Sequence, residues 1–249
     1  MKDIFNDKGF TIIEGHFSDT LLSIFEGVLV HLYRMQAAKI GISGSLNQIL
    51  ERMEVNDKEA LYQVQKFLPS SQTLKGMIGS LSGFLGMDAT NLIDGPGLFI
   101  NRPHTDRLLY KWHSEEHYYP KRRNFINAWW PLFGDKTKEN GTMSFKVGSH
   151  KKHYPFSEYQ EGPNHFIQYE IPENFVKEFD TYYCEVKRGD LVIFHSNLVH
   201  RSNPNTTDKY SFAGVARIWN PKDDLTLSGN LAATPYGGDM GRAGLVVEP

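Results

Sequence analysis

The sequence predicts a mainly β core carried on N-terminal helices, with a closed or two-sheet β architecture. The change of texture near residue 95 is the main sign. Before it, apolar residues recur at helical spacing. After Gly95, Pro96 and Gly97 they fall into short β-rich runs separated by Gly, Pro, Asn and Asp turns. No parallel βαβ rhythm and no internal repeat interrupts that second texture.

Taken in order, Gly9 to Ile13 reads as a short strand able to pair with the later sheet. Ser18 and Asp19 can cap a helix whose apolar stripe is Leu21, Leu22, Phe25, Leu29 and Leu32. Asn56 with Glu59 resembles a capping box opening a helix over Ala60–Leu68. Leu74, Ile78, Leu81, Phe84 and Leu85 form one further stripe that packs on a core. The expected strands are Leu98–Asn101, Leu108–His113, Phe125–Leu132, Thr142–Val147, Phe166–Ile171, Tyr182–Val186, Leu191–His195 and Tyr210–Ile218. We read 1–249 as one domain: 1–95 mainly helical support, 96–220 the β core, 221–249 a tail or lid.

Composition narrows the function classes. A net charge of −2 gives no field that would steer the chain onto nucleic acid or anionic lipid. Basic clusters at Lys121–Arg123 and Lys151–Lys152 read as solvated loop or strand ends. No apolar run approaches the roughly 20 residues that span a bilayer, and the opening MKDIFNDKGF lacks the apolar stretch of a signal peptide. Cys184 is the only cysteine, which excludes a disulfide framework and cysteine-rich zinc sites. A reducing cytoplasm fits. The expected partner is a small-molecule substrate, with no nucleic acid and no membrane; the oligomeric state is not legible.

His113 and Glu115 stand two apart, so on a strand they share a face. A distant histidine would complete a two-His-one-carboxylate face on Fe(II), the set that marks non-haem iron oxygenases. About one His-x-acid triplet is expected here by chance, so alone it is weak. His104 and Asp106 form a rival pair, but their proline-containing polar setting reads as loop. Among the distal candidates, His195 and His200 are five apart and face opposite sides of an extended chain. His200 precedes a polar turn at a rim, whereas His195 reads as a core or supporting histidine. His150 and His153 read as surface. His117 could face a cavity or solvent.

Several co-ordered strings then carry a resemblance. They are His113 to Pro120 (HSEEHYYP), Ala128-Trp129, Asn140-Gly141, Gly148 to Lys151, and Gly189-Asp190 through His195 to His200. Together with the opening GFTIIEGHFSD they resemble the phytanoyl-CoA dioxygenase family. That resemblance implies a double-stranded β-helix, a jelly-roll or cupin-like barrel. It implies Fe(II), 2-oxoglutarate and O2, and most simply hydroxylation of a small organic molecule with release of succinate and CO2. By position, His113, Glu115 and His200 would ligate iron, Trp129 would lie beside 2-oxoglutarate, and Ser202 would bond its far carboxylate.

Two departures from the family pattern stand out. Glu115 replaces the usual Asp. The arginine that grips the far carboxylate usually lies eleven past the distal histidine, and Ser211 stands there. Lys209 and Arg217 share its face by strand parity. Lys209 is about 7 Å away and Arg217 roughly 20 Å, which favours Lys209. Arg217 keeps the advantage of a bidentate fork. Two other readings stay open: a non-catalytic cupin-like metal- or ligand-binding protein, and a zinc hydrolase using the same ligands.

Overall fold

The computed structural model describes residues 2–56, 64, 72–85, 92–93, 96–106, 109–119, 125–161 and 166–219. The helices are α1 (Lys2–Lys8), α2 (Asp19–Lys39), α3 (Leu46–Asn56), α4 (Gln72–Gly79) and α5 (Leu81–Leu85). The strands are β1 (Phe10–Ile13), β2 (Gly97–Asn101), β3 (Ile126–Leu132), β4 (Met143–Lys146), β5 (Ser157–Glu161) and β6 (Phe166–Glu170). They continue with β7 (Thr181–Tyr183), β8 (Leu191–His195), β9 (His200–Ser202) and β10 (Ser211–Ile218).

Two antiparallel sheets face each other. The larger runs β1-β8-β3-β10-β2 and the smaller β7-β4-β9. Alternation sorts the large sheet's side chains between two cores. One face carries Trp130, Ala128, Leu191, Ile193, Phe212 and Ala216 onto the helices, where Leu22, Phe25, Leu29 and Tyr33 of α2 cover them. Each fully buried Leu, Ile or Phe among them contributes about 1.5–3 kcal/mol relative to exposure. The other face carries Trp129, Val192, Phe194, Ala213 and Val215 inward, against Phe145 of the smaller sheet. That is a double-stranded β-helix, with its site between the sheets.

The α2 start follows the expected cap: Ser18 Oγ accepts the Leu21 N–H at 3.3 Å. A second tie joins α2 to the sheet. Arg188 donates to Glu26 and to Asp19, and Glu26 also accepts the Phe133 N–H at 2.6 Å. Phe133 has a left-handed φ of 65°, so this bond holds a strained corner. Close approach also dictates a glycine. Gly214 pairs with Trp130 across the ladder, and a Cβ there would sit 2.2 Å from the indole.

Several local expectations are corrected. Asn56 belongs to helix α3, its side-chain amide donating to the Arg52 carbonyl, and Glu59, its expected capping partner, lies outside the described residues. Apart from Val64, the Ala60–Leu68 stretch lies outside the described residues, as do Lys121–Arg123 and everything after 219. The later stripe is two helices, because the chain turns at Ser80. Leu108 lies outside the described residues, and Leu109–His113 is not a continuous strand: its bridge is His113 with His200. Sequence periodicity gave no hint of α1 or α3, nor of the hairpin β5-β6 as a pair. Among the described residues no helix is long and apolar enough to cross a membrane.

Candidate metal centre

The centre is built on one irregular strand pairing. His113 and His200 exchange both backbone hydrogen bonds, each at 2.9 Å. The next bond runs from Ser202 N–H to the Tyr110 carbonyl at 2.9 Å. Lys111 and Trp112 therefore oppose Arg201 alone, which is a β-bulge. The bulge releases the Lys111 carbonyl from the ladder, and that carbonyl accepts from His113 Nδ1 at 2.7 Å. His200 Nδ1 donates in the same way to the Leu198 carbonyl at 2.9 Å. With both Nδ1 atoms donating, both Nε2 lone pairs are offered to the same gap.

Glu115 reaches that gap through a second local device. Ser114 is extended (φ −119°, ψ 149°), so His113 and Glu115 point the same way. The chain then tightens into a 3-10 turn over Glu115–His117, which sends Glu116 elsewhere, to the Ser196 hydroxyl at 2.7 Å. The two-residue spacing works as expected, yet on a single extended residue and not on a strand.

One ligand atom from each of His113, Glu115 and His200 lies within 4.8 Å of the others. Glu115 Oε1 is 3.8 Å from His113 Nε2 and 3.5 Å from His200 Nε2. Donors about 2.1 Å from one ion stand about 3.0–3.4 Å apart. Both carboxylate–imidazole distances are thus within a few tenths of an ångström of that range, and the three ligand atoms lie within 4.8 Å of one another. All three residues are buried, at 3%, 6% and 4% exposure. Burial and the neighbouring His200 push the His113 imidazole below its usual range. Burial works to raise the Glu115 carboxyl, but Arg217 and the two imidazoles hold it well below the carboxylate range. A His113 imidazole held towards its neutral form beside an ionised Glu115 is the protonation state a divalent cation needs.

Aromatic rings surround this set. Tyr110 and Tyr118 lie 5.2 Å and 5.6 Å from the His113 ring, and Phe194 lies 5.0 Å from that of His200. Tyr118 is itself fixed, its hydroxyl accepting the Tyr169 N–H at 3.2 Å. His117 stacks on Phe156 at 3.9 Å, and burial pushes its imidazole down to about 4. Two further tryptophans sit elsewhere. Trp130 faces the helices, and Trp112 is held between Lys146 and Arg201.

The remaining candidates separate cleanly. Trp129 lines the space between the sheets. Ser202 shares the His200 face of β9 by parity. The structure does not bring Lys209 to the triad: it is exposed, before β10 begins, and its carbonyl is held by Asn205. Arg217 does reach the triad, but its Nε donates to Glu115 Oε2 at 2.7 Å. The rival His104 is exposed at a φ of 50° and pairs with Asp208 at the surface. His195 accepts the Asn197 N–H at 3.0 Å and belongs to the support. His153 is exposed as expected; His150 is partly buried against Gly9.

Two inward polar groups escaped the sequence reading. Asn127 is fully buried on β3 in register with both Arg217 and Phe194, and among the described residues neither side-chain atom finds a partner. Its polarity within the apolar run FINAWWPL was the available signal. Lys136 is 1% exposed, though it sits in a stretch that reads as a polar loop.

The comparisons agree with this architecture. The family model for phytanoyl-CoA dioxygenase (PhyH) matches residues 5–212. The peroxisomal phytanoyl-CoA dioxygenase of Bos taurus is 22% identical over 224 residues, covering 84% of this chain and 64% of that protein. The human enzyme is 23% identical, with the same coverage. The chain thus spans just under two thirds of the length of these relatives. Among solved structures, the apo non-heme monooxygenase ThoJ superposes with a TM-score of 0.58 at 19% identity, covering 86% of this chain and 75% of that one. The non-heme alpha-ketoglutarate-dependent carbocyclase SnoK, from nogalamycin biosynthesis, gives 0.52 at 18%, covering 96% and 92%. These structures share the fold. On the family model, the bulged histidine pair and the β-helix together, the chain belongs to the phytanoyl-CoA dioxygenase family.

Proposed function

We propose that this chain is an Fe(II)- and 2-oxoglutarate-dependent oxygenase that hydroxylates a small organic molecule. The observation that carries the reading is the buried triad, with both imidazoles aimed by backbone carbonyls and one carboxylate oxygen left to ligate. His113, Glu115 and His200 would hold the metal and leave its opposite face open. Bound Fe(II) would supply the redox chemistry, with 2-oxoglutarate and O2 giving succinate, CO2 and a hydroxylated substrate. The protein's share is orientation and exclusion of water. Arg217 keeps Glu115 anionic and directed. Tyr110, Tyr118 and Phe194 wall the ligands from solvent, and Trp129 lines the space where the co-substrate would lie. The single cysteine is buried and unpaired, and burial pushes its thiol up, which suits a reducing cytoplasm.

Anaerobic addition of Fe(II) and 2-oxoglutarate should give the visible charge-transfer band of the chelate. His113→Ala should abolish it. Absence of the band in the wild type, with zinc retained through purification, would favour the hydrolase. A band without succinate formation in air, for any substrate or none, would favour a binding module.

A further inference from the structure

Among the described residues, one buried cation between the sheets has no anionic partner. Lys136 follows β3 and exchanges backbone hydrogen bonds with Val186 at 2.8 Å and 3.0 Å. Its ammonium is fully buried and donates to Asn101 Oδ1 at 2.7 Å. Among the described residues it has no carboxylate partner and no charged group acting on it. Burial alone pushes it down to about 7. A buried ammonium facing a neutral amide is costly to keep unless something anionic comes to it.

Its position says where that anion would be. Asn101 ends β2 in register with Ser211 of β10. By alternation, Asn101 shares its face with Phe99, and Ser211 shares its face with Ala213 and Val215, all of which pack between the sheets. The same face of β10 carries Arg217 to the triad six residues later. One interior face is thus served by a cation near each end. Arg217 is committed to Glu115, and Lys136 is not committed to any carboxylate. Ala213, Val215 and Trp129 form the apolar wall between them. The Asn101 main chain is itself held in place: its backbone carbonyl accepts from the Asn205 side-chain amide at 3.0 Å. Gly141, at a φ of 86°, packs so closely that a Cβ would lie 2.9 Å from Asn101 Nδ2.

We propose that Lys136 anchors the far carboxylate of 2-oxoglutarate, from a different part of the chain than Lys209 or Arg217. The inference rests on the oxygenase reading above. A dicarboxylate held by a metal at its keto-acid end brings a second charge into an apolar interior, and Lys136 is a buried cation lacking one. Ser211, where the family resemblance calls for an arginine, is then accounted for: the charge comes from across the ladder.

The test compares two keto acids on the Fe(II)-loaded full chain without oxygen, read by the charge-transfer band. 2-Oxovalerate matches 2-oxoglutarate in length but ends in a methyl group. Lys136→Met should raise the Kd of 2-oxoglutarate about 100-fold or more and leave that of 2-oxovalerate within about threefold. Lys136→Arg should recover part of the loss. Equal weakening of both ligands would make Lys136 merely structural, and an unchanged 2-oxoglutarate Kd would remove the assignment while leaving the oxygenase reading intact. No band in the wild type with either keto acid would remove both. Calorimetry on the wild type gives a check that no variant can spoil. At pH 8, 2-oxoglutarate should bind with proton uptake and 2-oxovalerate without it; equal uptake would overturn the assignment.

Discussion

Arg217 and Glu115, distant in sequence, meet in a buried hydrogen bond of 2.7 Å from Nε to Oε2. The bond leaves Oε1 as the oxygen facing both imidazoles. Arg217 also lies over the Tyr119 ring, 5.4 Å from its centroid, so its guanidinium is held from a second side. It works as a positioning group for the carboxylate ligand.

Arg217→Met should therefore weaken metal binding by about 10–100-fold, the usual effect of removing a partner that orients a ligand. The apo protein should also lose about 3–5 kcal/mol, because Glu115 is left buried without its cation. Urea unfolding with and without Mn(II) checks both. Metal should restore much of the lost stability in this variant, and equal losses in apo and loaded forms would contradict the assignment.

Metal loading of the wild type should raise stability by about 2.7 kcal/mol at a free concentration one hundred times Kd. His113→Ala should abolish that increment and leave the apo protein folded by near-ultraviolet circular dichroism. Thermal scans across a metal titration give the comparison.

Lys136 should leave a signature in the pH dependence of apo stability. Its ammonium titrates near 7 when folded, against an ordinary lysine value of 10.5. Between those limits the unfolded chain binds the extra proton, so stability rises with pH across the window. Below about 7 both states are protonated and the slope vanishes. The wild-type minus Lys136→Met difference in unfolding free energy, measured from pH 6 to pH 10, should show this rise. A flat difference would mean the ammonium is not desolvated.

Gly214→Ala should destabilise the fold by about 1–3 kcal/mol through overpacking against Trp130. The effect should appear as a lower Tm, with the metal affinity unchanged, because Gly214 and Trp130 face the helices and not the centre.

Much of the β core was legible from local order. Glycine and proline turns around short β-rich runs located β2, β3, β4, β8 and β10, and the Ser18 cap located α2. The helix over Leu46–Asn56 escaped because its stripe is short, with Ile49, Leu50 and Met53 as its buried residues. The expected strand before His113 failed because its residues form a bulge, which has no two-residue period to read.

The order of residues along the chain was enough to nominate the three ligands, since His113 and Glu115 lie within one extended step and His200 opens a strand. It could not decide which cation serves which carboxylate. Strand parity admitted both Lys209 and Arg217, but parity says nothing about where a strand begins or what its inner face meets. Register decided that, by setting Arg217 on Glu115 and Asn101 opposite Ser211. Folding then brought Lys136, from a stretch that reads as solvent-exposed loop, to the Asn101 side chain. Burial is a property of the assembled sheets, so a lysine's charge state and its need for an anion exist only once they close around it.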